Sequence, residues 1–203
     1  MTGNLNRVDD MDRSIPVMIL ILALLAAGGA MAESEYLVDF GPDDRSEWSV
    51  INDGVMGGVS RGGLRVSDQE TGVFSGELSL ENNGGFASVR ATLSHRDLSS
   101  ATGLEIRVRG DGRTYQLRLR IDDRFDGIAY RTFFETEPGE WVTVRRSFDV
   151  FEPTFRGRTP RNAPPLDTAH IHQVGFMLAD KQPGGFSLEI DYVRTWKDDP
   201  VKP

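Results

Sequence analysis

Histidine is the residue type best suited to acid–base chemistry or metal binding near neutral pH, and this sequence contains only three. His170 and His172 are two positions apart, so a strand would project both imidazoles from one face. Such a pair supplies two of the ligands that a zinc site needs. The sequence identifies no third ligand, and isolated histidines are more often surface or core residues. We therefore predict no metal site.

The glycine-rich segment from Gly54 to Gly63 is the second feature with chemical potential, because glycine loops can bind phosphate through backbone N–H groups. It lacks the lysine of a nucleotide-binding loop, and no helical pattern follows it. Acids such as Glu77 and Glu189 lie in or beside predicted strands, where solvated or structural roles are expected. Glycoside hydrolysis requires only that two acids meet in space, so the sequence leaves it open. The prediction is a protein that is not an enzyme and has no cofactor.

Composition limits the class of protein further. The chain has 203 residues, of which 23 are basic and 31 acidic, for a net charge of −8, and it has no cysteine. An acidic protein lacks the excess of Lys and Arg that neutralises phosphates, which argues against general nucleic-acid binding. The absence of cysteine excludes disulfides, thiol catalysis and cysteine-ligated zinc. A chain of this length can bury enough surface to form one domain without a disulfide or a metal.

The amino-terminal segment has the pattern of a targeting sequence. An uncharged apolar run extends from Ile15 to Ala27, and Ala30-Met31-Ala32 follows it. A short apolar run that ends in small residues of the Ala-x-Ala type is typical of a secretory signal peptide. We therefore predict a signal peptide over residues 1–32, with Met11 as the better start because a start there gives a net positive amino terminus.

Cleavage after Ala32 would leave residues 33–203 as a single acidic domain. The expected location of this domain is the periplasm or the extracellular space, with no stable membrane span. The alternative is an uncleaved anchor, but the 18 residues from Ile15 to Ala32 are at the short limit for a transmembrane helix.

Alternation of apolar and polar residues runs through the rest of the chain, and no segment has a sustained helical period. Turn residues separate the alternating runs. The predicted strands lie near 74–80, 87–93, 104–109, 115–121, 128–134, 141–148, 171–179 and 186–196. Short strands at this spacing predict an all-β fold, a β-sandwich or jelly roll. The proline-rich segment 152–168 is predicted to be a binding loop or a cover over a sheet edge.

The dipeptide Asp111-Gly112 is a strong signal for a two-residue hairpin turn. It predicts a hairpin that pairs residues 105–109 with residues 114–118, so that one face is apolar and joins the core. The other face carries four arginines: Arg107, Arg109, Arg118 and Arg120. Like charges on paired strands repel one another unless acids of neighbouring strands lie between them.

The strand predicted over 85–93 has an outward face with the composition of a binding surface. Its small apolar residues take the core side, which turns Phe86, Ser88 and Arg90 outward. An aromatic ring, a hydroxyl and a guanidinium on one face suit recognition better than solubility alone. We predict a binding surface formed by these three residues with Arg107 and Arg118.

Residues 52–60 are predicted to form a structural turn that also lines this site. The side chains of Asn52 and Asp53 can accept or donate hydrogen bonds to nearby backbone, and Gly57 suits a positive φ. Met56 and Ser60 complete the candidate binding residues of this segment.

Five motifs that occur in a fixed order resemble the complex I intermediate-associated protein 30 family, over about residues 37–196. They are Trp48–Ser60, Phe74–Arg90, Leu104–Tyr115, Phe151–Arg158 and Gly175–Asp191. The resemblance implies a galactose-binding-like β-sandwich. It also implies a non-catalytic role, because the mitochondrial members are assembly factors for respiratory complex I. Phe155 and Arg156, from the fourth motif, join the candidate binding residues.

Two functions follow from these features. The first is a non-enzymatic binding or assembly-factor domain that acts on exported or membrane proteins, including proteins of a respiratory complex. The alternative is an exported carbohydrate-binding module whose partner is a glycan. An aromatic platform on an exposed face would favour the glycan, whereas an exposed apolar patch beside the 152–168 loop would favour a protein partner.

Overall fold

The computed structural model describes residues 34–198, so the predicted signal peptide and its start at Met11 lie outside the described residues. Twelve strands follow one another along this part of the chain. They are β1 Tyr36–Val38, β2 Glu47–Val50, β3 Arg61–Val66, β4 Gly72–Leu78, β5 Ala87–Arg96, β6 Gly103–Arg109, β7 Thr114–Arg120, β8 Ala129–Glu135, β9 Trp141–Ser147, β10 Glu152–Thr154, β11 Ile171–Leu178 and β12 Gly184–Trp196. Four short 3₁₀ helices join some of them: Asp53–Met56, Glu81–Asn83, Phe148–Val150 and Thr168–His170.

The strands form two antiparallel sheets. Sheet A has the order β3-β4-β12-β6-β9, with β1 also paired to β12, and sheet B has the order β10-β8-β7-β11-β5-β2. The predicted all-β fold with two packed sheets is confirmed. Residues Glu152–Thr154 of the 152–168 segment form β10, which pairs with β8 at the edge of sheet B. This confirms in part the prediction that the segment covers a sheet edge.

The core lies between the two sheets and consists of the apolar half of each alternating run. Leu104, Ile106 and Val108 of β6 have no exposed surface, and neither do Leu117 and Leu119 of β7. Burial of side chains of this size contributes about 1.5–3 kcal/mol each, before the cost of chain entropy. The alternation therefore assigns one face of each strand to the core and leaves the other face for solvent or ligand.

The predicted hairpin at Asp111-Gly112 is wrong, because β6 and β7 belong to different sheets. β6 pairs with β12 and β9, whereas β7 pairs with β11 and β8. The segment between them crosses from one sheet to the other. Asp111 holds it in place, since its carboxylate accepts hydrogen bonds from the Ser187 N–H (2.8 Å) and the Tyr115 hydroxyl (3.0 Å). The Asp-Gly signal correctly marks a turn but does not specify which strands pair.

The four arginines assigned to one ladder are therefore divided between two sheets with different surroundings. On the outer face of sheet A, Arg107 forms an ion pair with Asp191, and Arg109 forms one with Glu189 (2.5 Å). Acids on β12 thus lie between these cations, which removes the repulsion that the sequence implied. The arginines of β7 lie on sheet B and have no such acid, as described below.

We expect the free energy of unfolding to fall as the pH is lowered from about 5 towards 3. Burial alone would raise the pKa of four carboxylates, but the hydrogen bonds that they accept hold each pKa below its usual value. They are Asp53, Glu105, Asp180 and Glu189. A group whose pKa is lower in the folded state stabilises the fold above its unfolded pKa, near 4, and loses that contribution as the pH falls through the folded value. Urea unfolding over this range measures the effect, and a constant unfolding free energy would contradict it.

Candidate functional site

A groove of about 580 Å³ lies over the outer face of sheet B. Its floor is formed by outward side chains of four adjacent strands, β5, β11, β7 and β8. Its walls come from the 3₁₀ helix Asp53–Met56, the connection between β7 and β8, and the turn after β10. The volume lies within the range of about 300–1,000 Å³ that is common for ligand-binding pockets.

Strand register places the floor residues in rows across the sheet. Arg90 on β5 and Arg118 on β7 both lie opposite Gly175 on β11, and Arg131 on β8 lies opposite Arg118. Residues that are opposite one another in register point to the same face. Because neighbouring strands are about 4.8 Å apart, the row from β5 to β8 is about 14 Å long. Gly175 has no side chain, so Arg90 and Arg118 are neighbours in the row with no side chain of β11 between them.

The groove is strongly positive in a protein that is acidic overall. Six cations line it: Arg90, Arg118, Arg120, Arg131, Arg156 and Lys181. One acid lines it, Asp126, and its carboxylate binds Arg156 (2.5 Å). Within residues 34–198, no ion pair includes any of the four arginines on the floor. The groove therefore has the electrostatic character of an anion-binding site.

Burial and the closeness of the cations to one another lower the pKa of two floor arginines. Burial, reinforced by repulsion from Arg120, Arg131 and Arg90, lowers the pKa of Arg118 to about 10. Burial and the charge of Arg120 likewise lower the pKa of Arg90 to about 10. Both values remain far above neutral pH, so the guanidinium groups stay charged. An anion in the groove would relieve this repulsion.

Neutral groups hold some of the arginines in place without cancelling their charge. Arg90 donates hydrogen bonds to the Phe125 carbonyl (3.3 Å) and to Gln173 Oε1 (3.2 Å). Arg120 donates to carbonyls in the β7–β8 connection. Two buried polar atoms of lining residues have no hydrogen-bond partner within the protein, Gln116 Oε1 and Arg131 Nε. Buried polar atoms normally have partners, so these two are positions at which a water or a ligand can form a hydrogen bond.

Six of the eleven candidate binding residues line the groove. They are Met56, Phe86, Ser88, Arg90, Arg118 and Arg156. Phe155 lies beside the groove, in a small adjacent cavity that Arg156 also lines. Arg107 lies on the outer face of sheet A, where its guanidinium stacks on the Trp141 ring at 4.6 Å. The structure thus brings most of the predicted surface together but places Arg107 on the opposite sheet.

The remaining three candidates, Asn52, Asp53 and Ser60, hold the wall of the groove in shape. Asp53 is fully buried, and its carboxylate accepts hydrogen bonds from the Ser60 N–H (2.9 Å), the Ser60 hydroxyl (2.5 Å), the Gly85 N–H (2.7 Å) and the Phe86 N–H (3.2 Å). Asn52 donates to the Gly62 carbonyl (3.0 Å). Asp53 therefore joins the turn to the start of β5, which positions Phe86 at the groove.

Gly57→Val should lower the free energy of unfolding by about 1–3 kcal/mol, because Gly57 has φ +90° and a β-branched residue resists that conformation. No atom lies within 4 Å of the position that a Cβ would occupy, so the cost would come from the backbone alone. Gly54→Val is the matched control, since Gly54 has the same open surroundings without a positive φ. Equal melting temperatures for the two variants would contradict the prediction.

Sequence reasoning missed several floor residues on β7, β8 and β11. These include Gln116, Arg120, Arg131, Gln173 and Gly175. The alternation on each strand identifies them as outward-facing, since Gln173, Gly175 and Met177 alternate with buried apolar residues. What the sequence does not give is the order of strands in the sheet, and that order places these residues beside Arg90.

The histidines form a separate cluster at the end of β5. The His95 ring lies 5.2 Å from the His170 ring and 5.4 Å from the His172 ring, in edge-to-face contacts. Over residues 34–198, no group of three or more His, Asp or Glu side chains has the geometry to hold a metal ion. The same residues include no helix that is long and apolar enough to cross a membrane.

Comparison with known proteins identifies relatives over most of the chain. Residues 38–190 match the family model for complex I intermediate-associated protein 30. The mouse mitochondrial protein of that name is 30% identical over 176 residues, which is 77% of this chain and 54% of the relative. The fruit-fly protein (Drosophila melanogaster) is 28% identical over 184 residues, 79% of this chain and 62% of the relative. The chain thus spans between half and two thirds of the length of these curated relatives.

Solved structures with the same fold include carbohydrate-binding modules. The family 11 module of the Clostridium thermocellum cellulase Lic26A-Cel5E superposes with a TM-score of 0.62 at 15% identity, covering 84% of this chain and 98% of the module. A family 11 module from the same organism, in complex with a β-1,3-1,4-mixed-linked tetrasaccharide, has a TM-score of 0.60 at 16% identity and covers 81% and 95%. The galactose-binding-like fold implied by the motifs is confirmed.

The predicted location in the periplasm or the extracellular space is wrong. The curated relatives are named as mitochondrial proteins and not as exported ones. The prediction depended on an apolar run that precedes small residues. This pattern shows that a segment suits a membrane, but it does not specify which membrane.

Proposed function

This chain belongs to the complex I intermediate-associated protein 30 family, and on that premise we propose that it is a non-enzymatic assembly-factor domain that binds a protein of membrane-bound respiratory complex I. The observation that carries the proposal is the family match over residues 38–190, together with the names of the relatives. The role proposed is binding without catalysis.

The composition of the groove supports a protein partner. Its rim exposes large apolar side chains, with Val55 at 61%, Met56 at 58% and Phe125 at 66% exposure. Phe155 lies beside them in the segment after β10. Arginine, methionine and aromatic residues are the types enriched at protein–protein interfaces. This is the apolar patch beside the 152–168 segment that favours a protein over a glycan.

Glycan binding is the second candidate, and the fold favours it. The family 11 module that resembles this chain was solved with a tetrasaccharide, and the groove offers polar groups that can bond hydroxyls. Sugar rings, however, stack on flat exposed aromatic surfaces. Of the three phenylalanines in the described lining, Phe176 is fully buried, which leaves Phe86 and Phe125 at the rim. The groove is therefore richer in cations than in stacking platforms.

Affinity capture from the native host separates the two candidates. We expect the tagged full-length chain to enrich complex I subunits over an untagged control, as measured by quantitative mass spectrometry. In parallel, we expect the purified chain to show no binding of the β-1,3-1,4-mixed-linked tetrasaccharide by calorimetry. Tetrasaccharide binding without enrichment of complex I subunits would replace the assembly role with the glycan role.

A further inference from the structure

We propose that the groove binds an extended acidic segment of the partner protein, with carboxylates paired to Arg90, Arg118 and Arg131. This inference rests on the proposed function, because it names the chemistry by which that function's partner is recognised.

The floor arginines differ from several arginines on the outer face of sheet A, which are paired with acids. On the outer face of sheet A, Arg145 and Arg194 both bind Glu105 (2.7 and 2.5 Å), and Arg109 binds Glu189 (2.5 Å). On sheet B, by contrast, the floor arginines have no acid within ion-pair distance among residues 34–198. With 31 acids in the chain, a shortage of carboxylates does not explain the difference. The unpaired row is therefore a part of the surface to which a partner can supply acids.

The length of the arginine row matches that of a short extended peptide. The row formed by Arg90, Arg118 and Arg131 is about 14 Å long, because it crosses three strand spacings. In an extended chain, residues i, i+2 and i+4 point to one side, and four steps of about 3.4 Å also span about 14 Å. The first and last of three such acids therefore match the ends of the row. The middle acid lies about 7 Å along the segment, about 3 Å short of Arg118 at two strand spacings, and a flexible arginine side chain can span that difference. Arginine suits this role because its planar group can bind a carboxylate through two parallel hydrogen bonds.

The floor also offers a hydrogen-bond acceptor that has no partner within the described protein. Gln116 is 6% exposed, lines the groove, and its Oε1 has no partner within the described protein. A fully ionised anion such as sulfate has no donor for this oxygen, whereas a peptide has backbone N–H groups.

The apolar surface of the rim favours a peptide over an acidic glycan. Val55, Met56 and Phe125 expose apolar surface on the walls of the groove. A protein segment can bury apolar side chains against them while its acids reach the floor. Methionine is well suited to this, because its flexible side chain adapts to irregular surfaces. An acidic sugar chain would pair with the arginines but would not bury these side chains.

The test is peptide binding by the full chain. The probe is a fluorescent extended peptide with glutamate at every second position and apolar residues between, and its control has glutamine in place of glutamate. We expect anisotropy at about 50 mM salt to show binding of the glutamate peptide only, weakened at higher salt. Arg118→Gln and Arg131→Gln should each weaken binding about tenfold or more.

Matched controls separate binding from folding. Arg65→Gln removes one cation from the exposed face of β3 on sheet A and should leave peptide affinity within about twofold. Arg118→Gln should not lower the melting temperature, since it removes a cation from a crowded cluster. If Arg118→Gln nevertheless unfolds, Arg131→Gln decides the question alone.

Several results would overturn the inference. They are no binding of the glutamate peptide, equal binding of the glutamine peptide, and equal losses in Arg65→Gln and Arg118→Gln. Binding of oligogalacturonate or inorganic phosphate in place of the peptide would reassign the groove to an acidic glycan or a free anion. If the Arg118→Gln variant enriches complex I subunits to the same extent as the unchanged chain, the groove assignment fails and the assembly role stands. If the peptide binds but no complex I subunit is captured, the groove assignment stands and the assembly role fails.

Discussion

Asp53→Asn is expected to lower the free energy of unfolding by about 3 kcal/mol. This is a large effect for the replacement of one carboxylate oxygen by an NH₂ group. The Asp53 carboxylate is fully buried and accepts hydrogen bonds from three backbone N–H groups and one hydroxyl. Its Oδ1 faces the Ser60 N–H, and its Oδ2 faces the N–H groups of Gly85 and Phe86. Whichever way an asparagine amide turns, its NH₂ group faces at least one of these donors. The buried donor then has no acceptor.

Asp97→Asn is the matched control for this prediction. Asp97 also accepts from the N–H (3.0 Å) and the hydroxyl (2.6 Å) of one serine, Ser99, but it is exposed to solvent. Water can replace the lost hydrogen bonds there, so we expect almost no change in unfolding free energy. Urea unfolding of both variants at pH 7 measures the difference. Equal effects at the two positions would show that burial of the Asp53 cluster contributes nothing to stability.

Gly175→Ala is expected to lower the free energy of unfolding by about 2–3 kcal/mol. A Cβ at this position would lie 2.5 Å from the Val89 carbonyl oxygen and 3.0 Å from the Arg90 Cβ. Because a backbone carbonyl within a central sheet has little room to move, β11 and β5 would have to separate. The same displacement would shift Arg90 in the groove, so anion binding should weaken together with stability.

Gly63→Ala provides the comparison for Gly175→Ala. Gly63 lies on β3, at the edge of sheet A, and no atom is within 4 Å of the position of its Cβ. Alanine there has open space and reduces the entropy of the unfolded chain, so stability should stay the same or rise slightly. A similar destabilisation by both substitutions would mean that loss of glycine as such, and not the close approach of β5, is responsible.

The sequence predicts eight of the twelve strands and the side of each of these that faces the core, but not the short strands β1, β2 and β10 or the glycine-rich β3. Alternation placed Ala87, Val89 and Ala91 inward and turned Ser88 and Arg90 outward, and the burial of these residues agrees. This succeeds because side-chain direction in a strand is a local property with a period of two. Strand pairing is not local. The Asp111-Gly112 signal was therefore read as a hairpin, although the chain at this point crosses between the sheets.

The incorrect pairing of β6 with β7 also gives an incorrect set of residues for the site. With β6 and β7 paired, Arg107 and Arg118 belonged to one surface; in the structure, Arg107 pairs with Asp191 on sheet A and Arg118 lies on the floor of the groove. The row that includes Arg131 requires β8 to lie beside β7, and no motif in the sequence specifies this neighbour. Candidate residues on single strands were predictable, whereas their assembly across four strands was not.

Removal of the gene from the native host is the most direct test of the assembly role. If the chain assists complex I assembly, membranes of the deletion strain should contain less fully assembled complex I on native gels, with a smaller intermediate in its place. The unchanged chain should restore the full complex when it is supplied again. A deletion strain with normal amounts of assembled complex I and no accumulated intermediate would contradict the account.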